Sequence, residues 1–479
     1  MTSVAEIAAG VATGAITAGS VAKRTGEALR KTADLNATLH WTQEILDAQA
    51  ARVDGLDPIG RKALPLAGVP IALKDNIVTT DQPTTCASKI LEGYVSPFDA
   101  TVTARLKAAG AIIASKTNLD EFAMGSSTEH SAWGRVKHPM DPARVPGGSS
   151  GGSAALVAAG VVPAALGSET GGSVRQPASF CGVVGVKPTY GRVSRFGLVA
   201  FGSSLDQISV FGRTVDDAAR VLAVISGLDR NDATSAAEPP PAVGPARADL
   251  TGLTFGIPRE YVPADLDGGV KAGIDLTVKA IKELGGTVKD VTLPHTRFAV
   301  PCYYIVAPAE AAANLARFDG VRYGPRKVGP EGDIRALYRA TRGQGFGPEV
   351  RRRILVGTYV LSSGYYDAYY RKAQQVRALL ADDFRRVFAG GVDFLLTPTT
   401  PTPAFRAGEK TEDPVAMYLA DIFTCSLNLA ALPAMSLPVG RSGGLPVGAQ
   451  LVAPMFGEAA MLGVAGALEK AIDATREVR

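Results

Sequence analysis

The sequence predicts an α/β fold, because short runs of strand-forming residues alternate with segments of helical periodicity. The runs at residues 69–73 and 111–114 are apolar and contain β-branched side chains, and helical spacing follows each of them. A strand at residues 253–258 and a helix at residues 270–284 repeat this order. Because 46% of the residues are hydrophobic and only 20% are charged, the chain can also form a large buried interior.

The first elements of the chain are predicted to be helical. Small apolar residues at spacings of three and four run from Val4 to about Val53, so residues 1–60 are predicted to form a helical N-terminal margin. A further helix is predicted between Asp99 and Gly110, with the aspartate as its N-cap and the glycine as its stop. This helix leads directly into the strand at residues 111–114.

Residues 231–249 are predicted to be a connector, because they are rich in proline and alanine. The β-α-β order resumes after this segment. We therefore interpret it as a surface excursion within one domain that spans residues 1–479. Two domains joined at this point are the weaker alternative.

Composition and charge exclude several classes of protein. The 50 Lys and Arg residues exceed the 46 Asp and Glu residues by only four, which does not argue for nucleic-acid binding. The four cysteines form no C-x-x-C pair, so neither a disulfide framework nor a zinc site is indicated. The longest apolar run, residues 154–167, is too short for a membrane helix. Glu6 lies where a signal peptide carries positive charge, so we expect a cytoplasmic protein.

Two clusters rich in glycine and serine mark the region where chemistry is expected. The first, residues 147–153, matches the G-x-S-x-G pattern of a hydrolase nucleophile elbow. The three prolines in residues 138–146 do not suit the buried strand that an elbow requires, so this cluster alone is better explained as a flexible turn. The second cluster, residues 167–173, changes that interpretation. Glycines directly before a serine allow main-chain N–H groups to converge beside a nucleophilic hydroxyl.

A serine nucleophile requires a base, and the chain offers two residue types for this role. It has only four histidines, and none of them falls in a triad-like motif. Lys74 ends the apolar run at residues 69–73, where burial would favour the uncharged amine. A lone lysine at the end of a strand is more often a surface residue, so the base stays open at this point.

Lys74, Ser149 and Ser173, at intervals of 75 and 24 positions, resemble the Ser–cis-Ser–Lys triad of the amidase signature family. Within that family, four further stretches resemble the glutaminase subunits of the tRNA-dependent amidotransferases, namely residues 83–94, 119–127, 187–197 and 362–370. The similarity extends from about residue 5 to the C-terminus. It implies a single α/β/α domain with a mixed central sheet covered by helices.

The resemblance also implies a role for each residue of the triad. Ser173 would attack the side-chain amide of glutamine, while Ser149 would pass its proton to uncharged Lys74 and later return one to the leaving ammonia. The peptide bond between Gly148 and Ser149 is expected to be cis. No metal would be required. Three main-chain groups would form the oxyanion hole, those of Thr170, Gly171 and Gly172.

The same resemblance assigns the residues that bind glutamine. Arg353 would pair with the α-carboxylate and Asp421 with the α-ammonium group, while Tyr304 and Met124 would line the slot. Other interpretations stay open. Arg353 could lie on a solvated or RNA-facing surface, and Asp421 could face solvent from a helix. Tyr304 and Met124 could simply be core residues.

Two amidotransferase partners, the B and C subunits of a heterotrimer, are implied as well. The B partner would bind the misacylated tRNA and activate its glutamate or aspartate with ATP and Mg²⁺, and the small C partner would bridge the other two chains. This chain has no G-x-x-x-x-G-K-[ST] phosphate loop, which fits a protein that supplies ammonia through an internal tunnel while ATP is used elsewhere. We expect no cofactor in this chain.

Four tyrosines near the C-terminal third of the chain invite a base-stacking interpretation, namely Tyr365, Tyr366, Tyr369 and Tyr370. Their spacing places pairs of them on one face of a helix, so core or subunit packing is the preferred interpretation.

Three alternatives to the amidotransferase role are consistent with the sequence. A freestanding amidase would use the same triad on another carboxamide. A catalytically silent scaffold would keep the fold only to hold its partners. A histidine-dependent esterase would use Ser149 as its nucleophile and would not require Lys74.

Overall fold

The structure, a computed structural model, describes residues 2–322, 324–327 and 332–474. Its strands are β1 (Thr38–His40), β2 (Pro70–Lys74), β3 (Ile112–Thr117), β4 (Ala164–Glu169), β5 (Val184–Lys187), β6 (Gln207–Gly212), β7 (Thr254–Pro258), β8 (Thr287–Val291), β9 (Phe394–Pro398), β10 (Ala434–Ser442) and β11 (Leu445–Val452). In the described part of the chain these eleven strands form one sheet, in the order β1-β3-β2-β4-β6-β5-β10-β11-β9-β7-β8.

The helices alternate with these strands along the chain. They are α1 (Val4–Thr13), α2 (Ala18–Lys31), α3 (Gln43–Asp54), α4 (Pro58–Lys62), α5 (Thr101–Ala108), α6 (Gly151–Ala158), α7 (Arg175–Cys181), α8 (Val215–Ile225), α9 (Gly268–Glu283), α10 (Ala299–Asn314), α11 (Ile334–Gly345), α12 (Pro348–Val360), α13 (Lys372–Ala389), α14 (Pro414–Tyr418), α15 (Cys425–Leu429) and α16 (Glu458–Ala474).

The sheet is mixed, as the sequence predicts. Strand β2 runs parallel to both of its neighbours, β3 and β4, and β7 runs parallel to β8 and β9. The other neighbouring strands are antiparallel. Every residue of β2 to β6 is buried, which requires cover on both faces of the sheet. The predicted α/β class with helices around a central sheet is therefore confirmed.

Most predicted elements are present, with two differences near the N-terminus. The N-terminal margin is helical, but it also contains β1, which pairs antiparallel with β3. The prediction that Asp99 caps a helix is wrong, because α5 has Ala100 at its N-cap. The Asp99 carboxylate instead pairs with Lys107 at 3.0 Å. Gly110 follows the helix with φ +86°, as a stop residue should.

Two surface features also bear on the sequence predictions. Residues 231–249 contain no helix and no strand, which agrees with a connector. Three tyrosines, Tyr365, Tyr366 and Tyr369, are exposed, so core packing is the wrong interpretation for them.

The four cysteines are buried free thiols.

Within the described residues, no helix combines the length and the apolar character that crossing a membrane requires. No three side chains of the ligating types His, Cys, Asp and Glu group together there as a metal ion would need.

The topology brings the two glycine- and serine-rich clusters to one edge of the sheet. Lys74 is the last residue of β2, and the second cluster comprises the end of β4 and the loop that leads into α7. The first cluster leads into α6 and forms its first turn, and α6 packs on β4. Because β2 and β4 are parallel neighbours, their carboxyl ends meet at the same edge, where ligands bind in sheets of this kind.

Candidate active site

Lys74 lies at this edge, with its side chain fully buried. Its Nζ is 2.7 Å from Ser149 Oγ and 3.1 Å from the carbonyl oxygen of Ser168. A carbonyl oxygen only accepts, so Lys74 donates one N–H to Ser168, and the lone pair of the uncharged amine can face the Ser149 hydroxyl. Burial lowers the pKa of Lys74 to about 7, although the Asp120 carboxylate nearby acts in the opposite direction. The amine can therefore accept a proton at neutral pH.

Hydrogen bonds fix the main chain on both sides of the Ser149 side chain. The Gly148–Ser149 peptide bond is cis, as the family resemblance implies. The Gly148 N–H donates to Gln176 Oε1 at 3.0 Å, and the Ser149 carbonyl accepts from the Asp120 N–H at 3.2 Å. A Cβ at position 148 would lie 2.2 Å from Asp120 Oδ2, so only glycine fits there.

Ser173 lies in the loop after β4, next to the first cluster. The Ser150 N–H donates to the Ser173 carbonyl at 3.2 Å, which joins the two clusters. Ser173 retains 7% exposure, whereas Lys74 and Ser149 have none, so Ser173 is the accessible hydroxyl of the three. Among the described residues, the main-chain N–H groups of residues 171–173 have no hydrogen-bond acceptor. Such unsatisfied donors beside a serine are what an oxyanion hole requires.

Buried carboxylates fix both ends of this loop. Thr170 Oγ1 donates to Asp206 Oδ1 at 2.6 Å. The Glu169 carboxylate accepts from the N–H groups of Val174 and Arg175 and also forms an ion pair with the Arg175 guanidinium. Burial alone would raise the pKa of Glu169, but Arg175 holds it below its usual value. The loop is therefore held in place before any substrate binds.

Asp421 lies against the same loop. Its Oδ2 accepts from Ser126 Oγ, while its Oδ1 is buried and has no hydrogen-bond partner among the described residues. A Cβ at Gly172 would be only 2.7 Å from this free oxygen. Burial raises the pKa of Asp421 to about 7. An unpartnered buried carboxylate oxygen beside the nucleophile loop suits a cationic ligand group.

Arg353 is also buried, and three aromatic rings surround it. Its guanidinium carbon lies 5.5 Å from the centre of the Tyr304 ring and 5.6 Å from those of Tyr418 and Phe201. Its Nε donates to Glu349 Oε1 at 2.8 Å. In the described part of the chain its two terminal nitrogens donate to no protein group, so this edge is available to a carboxylate.

These positions decide between the interpretations that the sequence left open. Arg353 and Asp421 are 4% and 6% exposed, so the solvent-facing interpretations are wrong for both. Arg353 is also close enough to Asp421 to lower the pKa that burial raises. Met124 is fully buried and Tyr304 is half-buried, and both belong to one apolar cluster.

Several residues of the site were not predicted from the sequence. Tyr303 is one, because a Cβ at Gly171 would lie 2.6 Å from its ring. The others support the loops or the guanidinium, namely Asp120, Ser168, Gln176, Asp206 and Glu349. Asp120, Ser168 and Gln176 could have been proposed from the sequence, because each lies within or next to one of the motifs. No local signal marks Asp206 or Glu349.

A cleft of about 350 Å³ opens beside these residues, with Glu121 and His130 in its wall. His130 and Glu349 also line the small recess that holds Arg353, so the cleft leads towards the guanidinium. In the described residues, no histidine lies where it could act as the base for Ser149. The His138 ring bonds the Phe180 carbonyl at 2.9 Å, and no histidine ring bonds Ser149 in the part of the chain that is described.

Comparisons with known proteins agree with this geometry. A family model described as Amidase matches residues 23–462. The protein named as the A subunit of glutamyl-tRNA(Gln) amidotransferase from Carboxydothermus hydrogenoformans is 56% identical over 91% of this chain and 90% of the relative. The crystal structure of the protein of the same name from Thermotoga maritima is 44% identical, with a TM-score of 0.79 over 95% of this chain and 91% of that one. The peptide amidase of Stenotrophomonas maltophilia is 28% identical, with a TM-score of 0.83 over 98% and 97% of the two chains.

Proposed function

The chain belongs to the amidase family, and on that premise we propose that it is the glutaminase subunit of a tRNA-dependent amidotransferase. It hydrolyses glutamine to glutamate and delivers the ammonia to a partner subunit. The partner uses the ammonia to transamidate misacylated Glu-tRNA(Gln), with Asp-tRNA(Asn) as the alternative acceptor. Relatives that are 54–56% identical over about nine-tenths of this chain carry the name of that glutaminase, which supports the proposal.

In the acylation step, Ser173 Oγ attacks the side-chain carbonyl carbon of glutamine. Its proton passes to Ser149, whose own proton passes to the uncharged Lys74 amine. The 2.7 Å contact between Lys74 Nζ and Ser149 Oγ supports the second transfer. The oxyanion that forms accepts from the free N–H groups of the loop that contains Gly171 and Gly172.

The Lys74 ammonium then returns a proton through Ser149 to the amide nitrogen. The carbon–nitrogen bond breaks, ammonia leaves, and glutamate remains as an ester on Ser173. A water molecule loses a proton to the same chain of groups and attacks the ester. Ser173 recovers its proton as glutamate leaves, so each group ends as it began.

Recognition of a free amino acid is the feature that separates this role from other amidases. Asp421 binds the α-ammonium group through its unpartnered Oδ1, and Arg353 binds the α-carboxylate through its terminal nitrogens. Tyr304 and Met124 line the slot between them. This buried pair of opposite charges beside the nucleophile loop is the observation that carries the proposal.

The proposal includes partners that act outside this chain. The B partner binds the misacylated tRNA and activates its amino acid with ATP and Mg²⁺, and the C partner bridges the two larger chains of a cytoplasmic heterotrimer. This chain then needs no cofactor of its own, since hydrolysis of glutamine uses only the triad and water.

The test compares the purified chain alone with the complex formed by adding the B and C partners. We expect weak or no release of ammonia from glutamine by the chain alone, strong release by the complex, and none with Ser173→Ala. A fluorophosphonate probe should label the wild-type chain and not Ser173→Ala, which a silent scaffold could not explain. Strong independent turnover of glutamine would argue against the proposal.

A second comparison separates this role from that of a freestanding amidase. We expect Arg353→Gln and Asp421→Asn to raise KM for glutamine by about 100-fold or more, because each neutralises a side chain that makes a charge-assisted contact to the substrate. Arg52→Gln is the matched control, since this arginine is exposed on α3, far along the chain from both residues. An enzyme that hydrolyses hydrophobic amides would not respond to these substitutions.

A further inference from the structure

One buried carboxylate in the wall of the cleft has no role in the mechanism above. Glu121 is 4% exposed, and its oxygens accept from Ser88 Oγ and from the Gly347 N–H, the latter at 2.8 Å. Gly347 is the N-cap of α12 and has no side chain that could bond the helix. Glu121 therefore attaches the beginning of α12 to a segment 226 positions earlier in the chain.

Helix α12 contains the guanidinium that is assigned to the carboxylate of glutamine. Arg353 comes two turns of helix after Gly347, and Glu349, which accepts from its Nε at 2.8 Å, lies between them. The backbone hydrogen bonds of a helix join its successive turns, so a shift at the first turn also moves the guanidinium. Small displacements of a group that positions the substrate are costly. The contact at the N-cap of α12 therefore bears on substrate binding.

The segment that contains Glu121 also supports the triad. The neighbouring residue, Asp120, donates its N–H to the Ser149 carbonyl at 3.2 Å. The Asp120 carboxylate accepts from the N–H groups of Thr128 and His130 at 2.9 and 3.1 Å, which fixes its own position. Two adjacent residues thus bond the two halves of the site, one the serine loop and the other the helix that contains the guanidinium.

The backbone directly after Glu121 is strained. Phe122 and Ala123 have φ values of +50° and +62°. Residues other than glycine rarely adopt this conformation, and they keep it where surrounding contacts hold them, often at functional sites. The Phe122 ring packs on Phe346, which directly precedes the N-cap of α12, with ring centres 5.5 Å apart. A shift of this segment would therefore be passed on to the beginning of α12.

The hydrogen bonds of Glu121, more than its charge, suit this role. Burial raises the pKa of Glu121 to about 7, so the carboxyl and the carboxylate are both present near neutral pH. Either form has an oxygen that accepts from the Gly347 N–H. Among the described residues, Glu121 bonds no member of the triad or of the oxyanion loop.

We propose that Glu121 is a positioning residue for glutamine. By bonding the N-cap of α12 it fixes Arg353 relative to the Ser149 loop, and it thereby sets the affinity for the α-carboxylate without taking part in the chemical step. This inference rests on the proposed function, in which Arg353 binds that carboxylate.

The test measures glutamine hydrolysis by the complex with the B and C partners. We expect Glu121→Ala to raise KM for glutamine by about 30-fold and to leave kcat within about twofold, because it removes a hydrogen bond that positions the substrate and leaves the triad intact. Glu121→Gln keeps an acceptor oxygen on a side chain of the same length, so its KM should stay within about threefold of the wild type. Glu27→Ala, at an exposed glutamate of α2, is the matched control.

A second variant breaks the same hydrogen bond from the other side. A Cβ at Gly347 would overlap Glu121 Oε2, which is the movable end of a side chain. The φ of Gly347 is −70°, which alanine adopts readily, so Gly347→Ala should fold and displace only the carboxylate. We expect the same rise in KM as for Glu121→Ala. Gly343→Ala, where a Cβ would meet no atom within 4 Å, should match the wild type.

Glutaminamide, in which a neutral amide replaces the α-carboxylate, separates positioning from general damage. Its kcat/KM should be the same for the wild type, Glu121→Ala and Gly347→Ala, because it has no carboxylate for Arg353 to bind. An unchanged KM for glutamine in either variant that folds, or equal losses with glutamine and glutaminamide, would overturn the inference. If the wild-type complex hydrolyses no glutamine, or if Arg353→Gln leaves KM unchanged, the proposed function fails instead.

Discussion

At the scale of single residues, the site depends on an amine that is uncharged at neutral pH. Lys74 meets this condition because its side chain is fully buried and its pKa falls to about 7. The Ser168 carbonyl takes one of its N–H groups, so the orientation of the lone pair is also fixed. Burial and one main-chain acceptor thus turn an ordinary lysine into a base for Ser149.

The pH dependence of kcat in the complex with the B and C partners should reveal this amine. Bound glutamine places an ammonium group on Asp421 and lowers the pKa of that carboxyl, so kcat should report Lys74. Lys74 must be unprotonated to act, so we expect kcat to rise about tenfold per pH unit below about pH 7 and to be level above it.

The profile of kcat/KM supplies the control for that measurement. In the free enzyme, both the Asp421 carboxyl, with a pKa of about 7, and the Lys74 ammonium must lose a proton. Its rising limb should therefore be steeper than that of kcat. A kcat that is level from about pH 5.5 to about pH 9 would contradict a lysine base.

The sequence could predict the triad but not the supports around it. Lys74, Ser149 and Ser173 are recognisable because their residue types and intervals are specific to the family. The burial of Arg353 is different, since it depends on aromatic rings from α10 and α14 that are distant in the chain. Asp421 likewise becomes a site residue only through its position beside Gly172.

At the scale of elements, apolar runs predicted the strands correctly, whereas the polar residue proposed as a helix N-cap was predicted wrongly. The runs before Lys74 and before Thr117 form strands because their side chains are buried on both faces of the sheet. The N-cap at Asp99 was wrong because its carboxylate has stronger partners, the Lys107 ammonium and the Thr80 N–H. A local sequence pattern does not show which of several possible partners a carboxylate will bond in the folded chain.

The loop between β4 and α7 is an element whose shape can be tested. A Cβ at Gly171 would lie 2.6 to 2.8 Å from the ring of Tyr303, which is buried and cannot move aside. We expect Gly171→Ala to displace the N–H groups that bind the oxyanion and to lower kcat by about 100-fold or more, with a smaller effect on KM.

The matched control for that variant is Gly343→Ala in α11. A Cβ at this glycine would meet no other atom within 4 Å. Alanine should therefore leave kcat unchanged and stabilise the helix by up to about 1 kcal/mol. Equal rates for the two variants, both folded by melting temperature, would show that the loop is not held as described.

At the scale of the whole molecule, the site exists only because distant segments meet. The sheet order places β2 between β3 and β4, and this parallel pairing brings Lys74 beside residues 167 and 168. Pairing of this kind joins residues about ninety positions apart, and no local pattern specifies it. The α/β class could therefore be predicted from the sequence, whereas the order of the eleven strands could not.

The same burial that makes Lys74 a base should destabilise the folded chain. The unfolded chain binds a proton at position 74 up to about pH 10.5, whereas the folded chain loses it near pH 7. Between these values the unfolded state holds more protons, so the free energy of unfolding rises with pH, by up to about 1.4 kcal/mol per unit from this group. Stability from Lys74 is therefore greatest above about pH 10.5 and falls as the pH falls to about 7.

Lys74→Met should reverse this effect, since a thioether of similar length has no charge to bury. At pH 7 we expect the variant to be inactive yet more stable than the wild type by about 2 kcal/mol, after the loss of the contacts to Ser149 and Ser168 is subtracted. The difference should shrink as the pH rises towards about 10, where the wild type recovers. Lys187, whose pKa burial also lowers to about 7, is present in both proteins and cancels. Urea unfolding of both proteins at several pH values measures the difference, and parallel curves would mean that Lys74 is not held uncharged by its surroundings.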